Sequence, residues 1–334
     1  MINLETTYMG LQLKNPLVVS SSGLTNSVRK IKIIEEKGAG AVVLKSLFEE
    51  QITNEAKNLI GKESSNANYP EAEDYIQTYI KGHSVSNYLT LIKEAKEAVS
   101  IPVIASINCV SSSDWTSFAK EIEKAGADAI ELNVFIVPVD RNMSSTQYEN
   151  LYYNIFNAVK KEVSIPISMK IGIYFTNLFS VANRLNADGV DGLVLFNRFY
   201  EPDIDIETMT IKSAPVLSSA SDIRKSLRWV GMLSDKIKGL DIAASTGIHD
   251  GEAAIKQLLA GATTVQICST VYEHGFDQIS DILGDISKWM KAKGFKTVDE
   301  FRGSLNYGSI PNPALYERAQ FMKYFSNKEK DVLI

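Results

Sequence analysis

The sequence predicts a (β/α)8 barrel, because short apolar runs alternate regularly with longer segments of helical spacing. The runs are continuous rather than alternating, as in parallel strands that helices cover on one side and a packed interior on the other. Eight such runs can be counted, and 334 residues suffice for one barrel of this kind. We therefore expect a single domain over residues 1–334.

Each run and each helical segment follows the last in strict order. A hairpin over Leu4–Lys14 precedes the first strand, a long polar segment covers Phe48–His83, and an excursion over Arg198–Ala220 follows the sixth strand. The predicted strands are Leu17–Ser20, Ala41–Leu44, Val103–Ser106, Ala129–Asn133, Ile167–Ile171, Gly192–Phe196, Asp241–Ala244 and Thr264–Ile267. The predicted helices are Ser27–Lys37, Asn87–Val99, Asp114–Ala125, Gln147–Val163, Leu178–Asn186, Asp222–Lys238, Gly251–Ala260 and Asp277–Ala292. A doubly wound nucleotide-binding sheet is the rival fold, but residues 21–26 lack its Gly-x-Gly-x-x-Gly turn.

Charge and cysteine content exclude several classes of function. The net charge is −5 and no Lys/Arg-rich patch is present, so we expect no nucleic-acid partner. No apolar window is long enough to span a bilayer, so we expect no membrane partner and a soluble cytoplasmic protein. The two cysteines, Cys109 and Cys268, form no Cys-x-x-Cys unit, and we expect neither a metal site nor an iron–sulfur cluster.

Several predicted strands end on a polar group, and the carboxyl ends of barrel strands open together on the catalytic face. The lysines Lys45 and Lys170 stand at two such ends, where an unpaired ammonium is costly to bury. They could stabilise an electron-rich cofactor or an anionic substrate, and Lys170 could instead form a Schiff base. The alternative is a lysine that only reaches solvent at the rim.

Two further features point to a ligand at this face. Asn133 and Asn197 each follow a strand, and an amide suits the edge of an imide or pyrimidine ring, although asparagine also forms simple turns. The turns Ser245–Gly251 and Cys268–Thr270 follow the last two strands, where barrels commonly bind phosphate. Ordinary turns with helix caps are the alternative.

These residues together resemble the FMN-dependent dihydroorotate dehydrogenase family. The resemblance covers most of the chain, and each motif is weak alone but stands in the expected order. It rests on Asn15–Gly23, Lys45-Ser46, Ile130–Asn133, Met169-Lys170 with Tyr174-Phe175, Asn197, Thr246–Ile248, Leu259–Gln266 and Phe301–Gly303.

The resemblance implies an FMN cofactor and a small-molecule ring substrate such as dihydroorotate, in pyrimidine biosynthesis. It implies that Lys45, Asn133 and Asn197 bind the substrate and that Lys170 is catalytic. It also implies a homodimer with a contact in Arg198–Ala220. The cofactor would contact Ser21, Ser22, Gly23, Lys45, Ser46, Asn133, Lys170, Gly247, Cys268, Ser269 and Thr270.

The chain departs from the family after Asn133, where a catalytic Cys or Ser is expected and Ile136 stands. An aliphatic side chain cannot be a general base, so His83, Asp140, Ser144 and Tyr174 become candidates. Three hypotheses remain: a flavin oxidoreductase acting on dihydroorotate or another ring, a flavin-binding module without catalysis, and a Schiff-base aldolase. The second electron acceptor is open among fumarate, NAD and a quinone.

Overall fold

Eight parallel strands close into a barrel in the computed structural model, which describes residues 2–48, 70–108 and 112–318. Each strand pairs with the next in chain order, and the last, β13, pairs with the first, β3. A two-residue strand, β5 (Leu47–Phe48), extends the second strand beside the third. The barrel strands are β3 (Leu17–Val19), β4 (Ala41–Val43), β6 (Val103–Asn108), β7 (Ala129–Asn133), β8 (Ile167–Ile171), β9 (Gly192–Leu195), β12 (Asp241–Ser245) and β13 (Thr264–Ile267). The predicted (β/α)8 barrel is confirmed.

Helices on the outside of the barrel connect these strands. The two longest are α2 (Pro70–Ala98) and α9 (Asp277–Lys293). The others are α1 (Val28–Glu36), α3 (Ser112–Lys124), α4 (Ser145–Lys160), α5 (Leu178–Ala187), α6 (Ile223–Lys236), α7 (Gly251–Ala260), α8 (Ser269–His274) and α10 (Ala314–Glu317). Gly261 follows α7 with a φ of 112°, the left-handed conformation in which many helices end.

The helix before the third strand is longer than the sequence analysis predicts. The sequence predicts that this helix begins at Asn87 and that Phe48–His83 is a polar segment, whereas α2 begins at Pro70. Pro70 suits the start of a helix, because proline is favoured in the first turn. Gly82 and the serines on either side of Val85 have low helix propensity, so the sequence pattern does not show one continuous helix. Residues 49–69 of the predicted segment, like Cys109, lie outside the described residues.

The predicted N-terminal hairpin closes the bottom of the barrel. It consists of β1 (Thr6–Tyr8) and β2 (Leu11–Leu13), and its Tyr8, Met9 and Leu13 pack on inward-facing residues such as Val18 and Ile104. A larger apolar cluster lies between the barrel and its helices. Because the hairpin fills the amino-terminal end, a ligand can enter at the carboxyl ends of the strands.

The excursion after the sixth strand carries a second hairpin, β10 (Pro202–Asp205) with β11 (Thr210–Ser213). Arg198 anchors its base: the guanidinium donates to Asp222 Oδ2 at 3.1 Å and to the carbonyl oxygens of Val216 and Pro215. These bonds fold residues 214–222 back over the loop that follows β12.

Candidate active site

A cavity of about 400 Å³ opens at the carboxyl ends of the strands. Its walls come from the loops after β3, β9, β12 and β13, from Lys170 on β8, and from the returning part of the excursion. The volume lies in the range of small-molecule sites. The lining includes Ser20, Ser21, Ser22, Gly23, Lys170, Asn197, Arg198, Ser218, Ser245, Gly247, Gln266, Cys268 and Ser269.

Lys170 lies on the floor of this cavity and is held by side chains from the far side of the barrel. Its Nζ donates to Ser20 Oγ at 2.9 Å and to Gln266 Oε1 at 3.1 Å. Glu131 Oε1 lies 3.8 Å from the same nitrogen. Lys170 is 6% exposed and Glu131 is 1% exposed, so the two charges compensate each other inside the protein.

Gln266 links the cation to the anion. Its amide oxygen accepts from Lys170 and Ser20, and its amide nitrogen donates to Glu131 Oε2 at 2.8 Å. An ammonium has three N–H donors, so one remains for a ligand in the cavity.

The second predicted lysine lies elsewhere. Lys45 is exposed and does not line the cavity, whereas its neighbour Ser46 is buried. The Ser46 hydroxyl lies 2.9 Å from Ser21 Oγ and 2.7 Å from Ser106 Oγ. Ser46 therefore supports the cavity wall through Ser21 and lies outside the lining.

The two predicted asparagines lie together. Asn197 Nδ2 donates to Asn133 Oδ1 at 2.8 Å, and of the two only Asn197 lines the cavity. The Asn197 backbone N–H donates to Ile171 O at 2.8 Å, which fixes the turn after β9. Asn197, held by Asn133, therefore presents its side-chain amide to the cavity that Lys170 also lines.

The turn after β12 requires glycine at position 247, because the backbone of a neighbouring helix lies close to it. Gly247 has a φ of 79°, and a Cβ there would lie 2.1 Å from the backbone nitrogen of Ile223. The missing side chain therefore makes room for the start of α6 rather than for a ligand. Gly247 itself lines the cavity.

The turn after β13 divides its three predicted residues between two roles. Cys268 and Ser269 line the cavity, whereas Thr270 is fully buried and donates to the carbonyl oxygen of His249 at 2.7 Å. Burial raises the pKa of the Cys268 thiol, so the thiol stays protonated near neutral pH. Thr270 stabilises the turn and is not part of the cavity wall.

The model of the family described as dihydroorotate dehydrogenase matches residues 3–290. The chain belongs to this family. It is 28% identical to the dihydroorotate dehydrogenase B (NAD(+)) catalytic subunit of Methanocaldococcus jannaschii over 313 residues, which cover 90% of the chain and 97% of the relative. The corresponding subunit of Thermoplasma volcanium is 28% identical over 320 residues, covering 91% and 98%. The NAD-dependent dihydropyrimidine dehydrogenase subunit PreA of Escherichia coli is 24% identical over 329 residues, covering 92% and 78%.

Membership in the dihydroorotate dehydrogenase family makes this chain an oxidoreductase that acts on CH–CH groups, and it supports a flavin as the cofactor. The family resemblance on which the sequence analysis relied is confirmed. Within the described ranges, no helix is both long and apolar enough to cross a membrane.

The candidate bases do not meet in the main cavity. Asp140 and Tyr174 lie with Ile136 in a second cavity of about 320 Å³, between the loops after β7 and β8. Burial raises the pKa of Tyr152 in the same wall to about 12, so its phenol stays protonated near neutral pH and cannot accept the substrate proton. Ser144 caps α4 by accepting from the N–H of Gln147, and His83 is exposed on α2.

The sequence analysis did not identify Ser20, Glu131, Gln266 and Ser218 as site residues. For the first three a signal existed. Glu131 and Gln266 are polar residues within mostly apolar strands and Ser20 directly follows one, and each stands two positions from another polar residue. Ser218 lies in an irregular segment without periodicity. No pattern in the sequence brings it to the cavity.

Proposed function

We propose that the chain is an FMN-dependent dehydrogenase of a dihydropyrimidine-type ring, with oxidation of dihydroorotate to orotate in pyrimidine biosynthesis as the first reaction to test. The relatives named above are dihydroorotate and dihydropyrimidine dehydrogenase subunits, which supports this substrate class. Residues 1–334 would act as one FMN-binding unit. The same names specify NAD, which supports NAD as the final acceptor.

The cavity has the donors and the size that a flavin needs. Ser21, Ser22, Gly23 and Lys170 would hold the ring, and the backbone around Gly247 with Cys268 and Ser269 would hold the phosphate. When bound, the flavin supplies the acceptor for a hydride from the substrate. Asn197, backed by Asn133, would bind the polar edge of the substrate ring.

The observation that carries this proposal is Lys170 at the cavity floor, whose positive charge is balanced by the buried Glu131 carboxylate. Lys170 has two of its three donors fixed by Ser20 and Gln266, so its remaining N–H has a defined place. A fixed cation stabilises negative charge that develops on a neighbouring ring, and it does so without reorganisation. A lysine that merely reached solvent would need none of these partners.

The proton of the substrate has no assigned acceptor. General bases typically contribute about 10²–10⁴-fold to the rate. Because Ile136 and its neighbours face the second cavity, we propose that dihydroorotate is oxidised slowly unless Asp140 or Tyr174 reaches the substrate. Lys45 and His83 are exposed, and in the conformation described they would contribute little to accepting the substrate proton.

We also propose a homodimer through the excursion hairpin. Ile204 and Ile211 lie opposite each other on one face of this hairpin and are 62% and 67% exposed. Asp203 and Lys212 lie opposite each other on the other face. A two-fold pairing of the isoleucine faces would bury them. Sedimentation should show a dimer that Ile204→Lys dissociates and Asp203→Asn preserves.

The identity of the bound cofactor tests the proposed function. Protein purified without added flavin should be yellow, and heat should release about one FMN per chain, identified by its mass. Anaerobic dihydroorotate or dihydrouracil should bleach the colour. A yellow protein that neither ring bleaches would favour a flavin-binding module. A colourless protein that borohydride traps with a carbonyl compound would favour a Schiff base at Lys170.

A further inference from the structure

Three polar atoms inside the barrel have no hydrogen-bond partner among the described residues. They are the Tyr8 hydroxyl oxygen, Ser168 Oγ and Glu131 Oε1. Each of these residues is 1% exposed, so bulk solvent does not reach them. Buried polar groups in native proteins are almost always hydrogen-bonded, either to protein or to ordered water, because an unpaired one is costly. The three atoms therefore indicate a bound partner.

The strand register brings these three residues together. Glu131 of β7 lies beside Ser168 of β8, and Ser168 lies beside Gly192 of β9. The Tyr8 hydroxyl reaches this row from the N-terminal hairpin, because a Cβ built on Gly192 would lie 3.0 Å from its oxygen. Side chains alternate along a strand, so Ser168 faces the interior as Lys170 does two positions later. The three atoms thus meet in one region of the barrel interior, beneath the cavity floor.

The Tyr8 phenol is a hydrogen-bond donor at any ordinary pH. Burial raises the pKa of Tyr8 well above its usual value, and the nearby Glu131 charge raises it further, whereas the neighbouring Ser168 hydroxyl opposes this rise. The phenol therefore keeps its proton. Although the three side chains are close enough to influence one another, their oxygens do not meet in direct hydrogen-bond geometry.

Within the described part of the chain, the Glu131 carboxylate is hydrogen-bonded at one of its two oxygens. Oε2 accepts from Gln266 at 2.8 Å, whereas Oε1 lies 3.8 Å from Lys170 Nζ, which is longer than a hydrogen bond. A carboxylate accepts at both oxygens, so Oε1 can take a further donor. A molecule that accepts from the two hydroxyls and donates to the carboxylate would satisfy all three atoms. Water does both.

We propose that Tyr8, Ser168 and Glu131 bind one internal water molecule, which links the N-terminal hairpin to the carboxylate beside Lys170. The two hydroxyls donate to the water oxygen, and the water donates one O–H to Glu131 Oε1. A buried water typically makes about three hydrogen bonds. A metal cation fits less well, because Lys170 already balances the charge of Glu131. Through this water the hairpin supports the cavity floor, whichever cofactor and substrate the cavity takes.

A crystal structure of the native protein that resolves ordered waters tests the site directly. We expect one water whose oxygen lies about 2.6–3.2 Å from the Tyr8 hydroxyl, Ser168 Oγ and Glu131 Oε1. Direct hydrogen bonds between these side chains, with no water between them, would overturn the inference. A peak held at about 2.0–2.6 Å by the same oxygens would also overturn it, because such distances indicate a metal cation.

A double-mutant cycle tests the same site in solution. Tyr8→Phe and Ser168→Ala each remove one hydroxyl, and Phe keeps the ring. Because both act on one water, the double variant should lose less in melting temperature than the sum of the two single losses.

Ser226→Ala is the matched control, because Ser226 is also 1% exposed but accepts from Gln257 between α6 and α7. Its loss should add to that of Tyr8→Phe. Additive losses for Tyr8→Phe and Ser168→Ala would mean that the two hydroxyls share no partner, against the inference. If Tyr8→Phe does not fold, the crystal structure of the native protein decides, since it needs no variant.

Discussion

The Lys170 ammonium lies 3.8 Å from Glu131 Oε1, and both side chains are closed off from solvent inside the barrel. Glu131 is fixed by Gln266, which also accepts from Lys170. The carboxylate is thus the internal counter-charge of the cation at the cavity floor. Changes at Glu131 should alter the field that a bound flavin experiences without changing the cavity wall.

Glu131→Gln should raise the reduction potential of the bound flavin. The substitution removes one negative charge near the cavity, so the reduced and more negative cofactor is stabilised relative to the oxidised one. Equilibration with a reference dye under anaerobic conditions measures the shift. Glu162→Gln, which removes an acid on the protein surface beside Lys120, should leave the potential unchanged. An unchanged or lowered potential in Glu131→Gln would count against the counter-charge role.

Lys170→Met should slow flavin reduction and also destabilise the fold. It leaves the Glu131 carboxylate buried without its cation, and breaking a buried pair typically costs about 3–5 kcal/mol. Urea unfolding and single-turnover kinetics measure the two effects. Adding Glu131→Gln to Lys170→Met should restore most of the stability and none of the rate. Recovery of the rate in the double variant would show that Lys170 is not needed for the chemistry.

Gly247→Ala should destabilise the protein and impair flavin retention, because its Cβ would lie 2.1 Å from Ile223 N. Gly239→Ala is the matched control: Gly239 has a φ of 82° and no heavy atom within 4 Å of a built Cβ. The control shares the left-handed strain of roughly 1 kcal/mol and lacks the clash. Melting temperature and flavin content should separate the two variants. Equal losses in both would mean that strain alone explains the requirement for glycine.

Glu123→Gln should lower stability at neutral pH and have little effect in acid. The Glu123 carboxylate accepts from the hydroxyl and N–H of Ser164 and from Ile165 N, and these bonds, the hydroxyl first, lower its pKa. A lowered pKa in the folded state gives stability that is present above the ordinary glutamate pKa of about 4.3 and lost below it.

Urea unfolding of the Glu123→Gln variant should show a free energy of unfolding lower by about 0.5–1 kcal/mol at pH 7, because solvent screens this partly exposed carboxylate. The deficit should shrink as the pH falls below about 4. The control is Glu121→Gln, which removes a carboxylate that pairs with Lys124 on the helix surface. A deficit that does not depend on pH would show that the carboxylate charge is not what stabilises the Ser164 turn.

Local sequence patterns predicted the barrel and the position of Lys170, because a strand that ends on a polar residue places that residue at one face whatever its neighbours are. They could not predict that Glu131 and Gln266 meet. These residues lie on the fourth and eighth strands, and their contact depends on how the closed barrel is staggered. The exposed position of Lys45 has a related reason: its strand ends at Val43, and the direction of a side chain beyond a strand end is not set by the strand pattern.

The part of the cavity near Gly247 likewise depends on tertiary packing that local sequence patterns do not predict. Gly247 was identified from its turn, but the reason for it, the backbone of Ile223, follows from the packing of α6. Ser218 lies in a segment without regular structure, and Arg198 brings it to the cavity through bonds to carbonyl oxygens that no sequence pattern records.

Anaerobic mixing of the native protein with dihydroorotate, followed in the visible range, shows whether a bound flavin oxidises this ring and whether Lys170 takes part. We expect a flavin spectrum that bleaches slowly, and much more slowly still in Lys170→Met/Glu131→Gln, whose fold should be preserved. A colourless protein, or a double variant that is bleached as fast as the native protein, would contradict it.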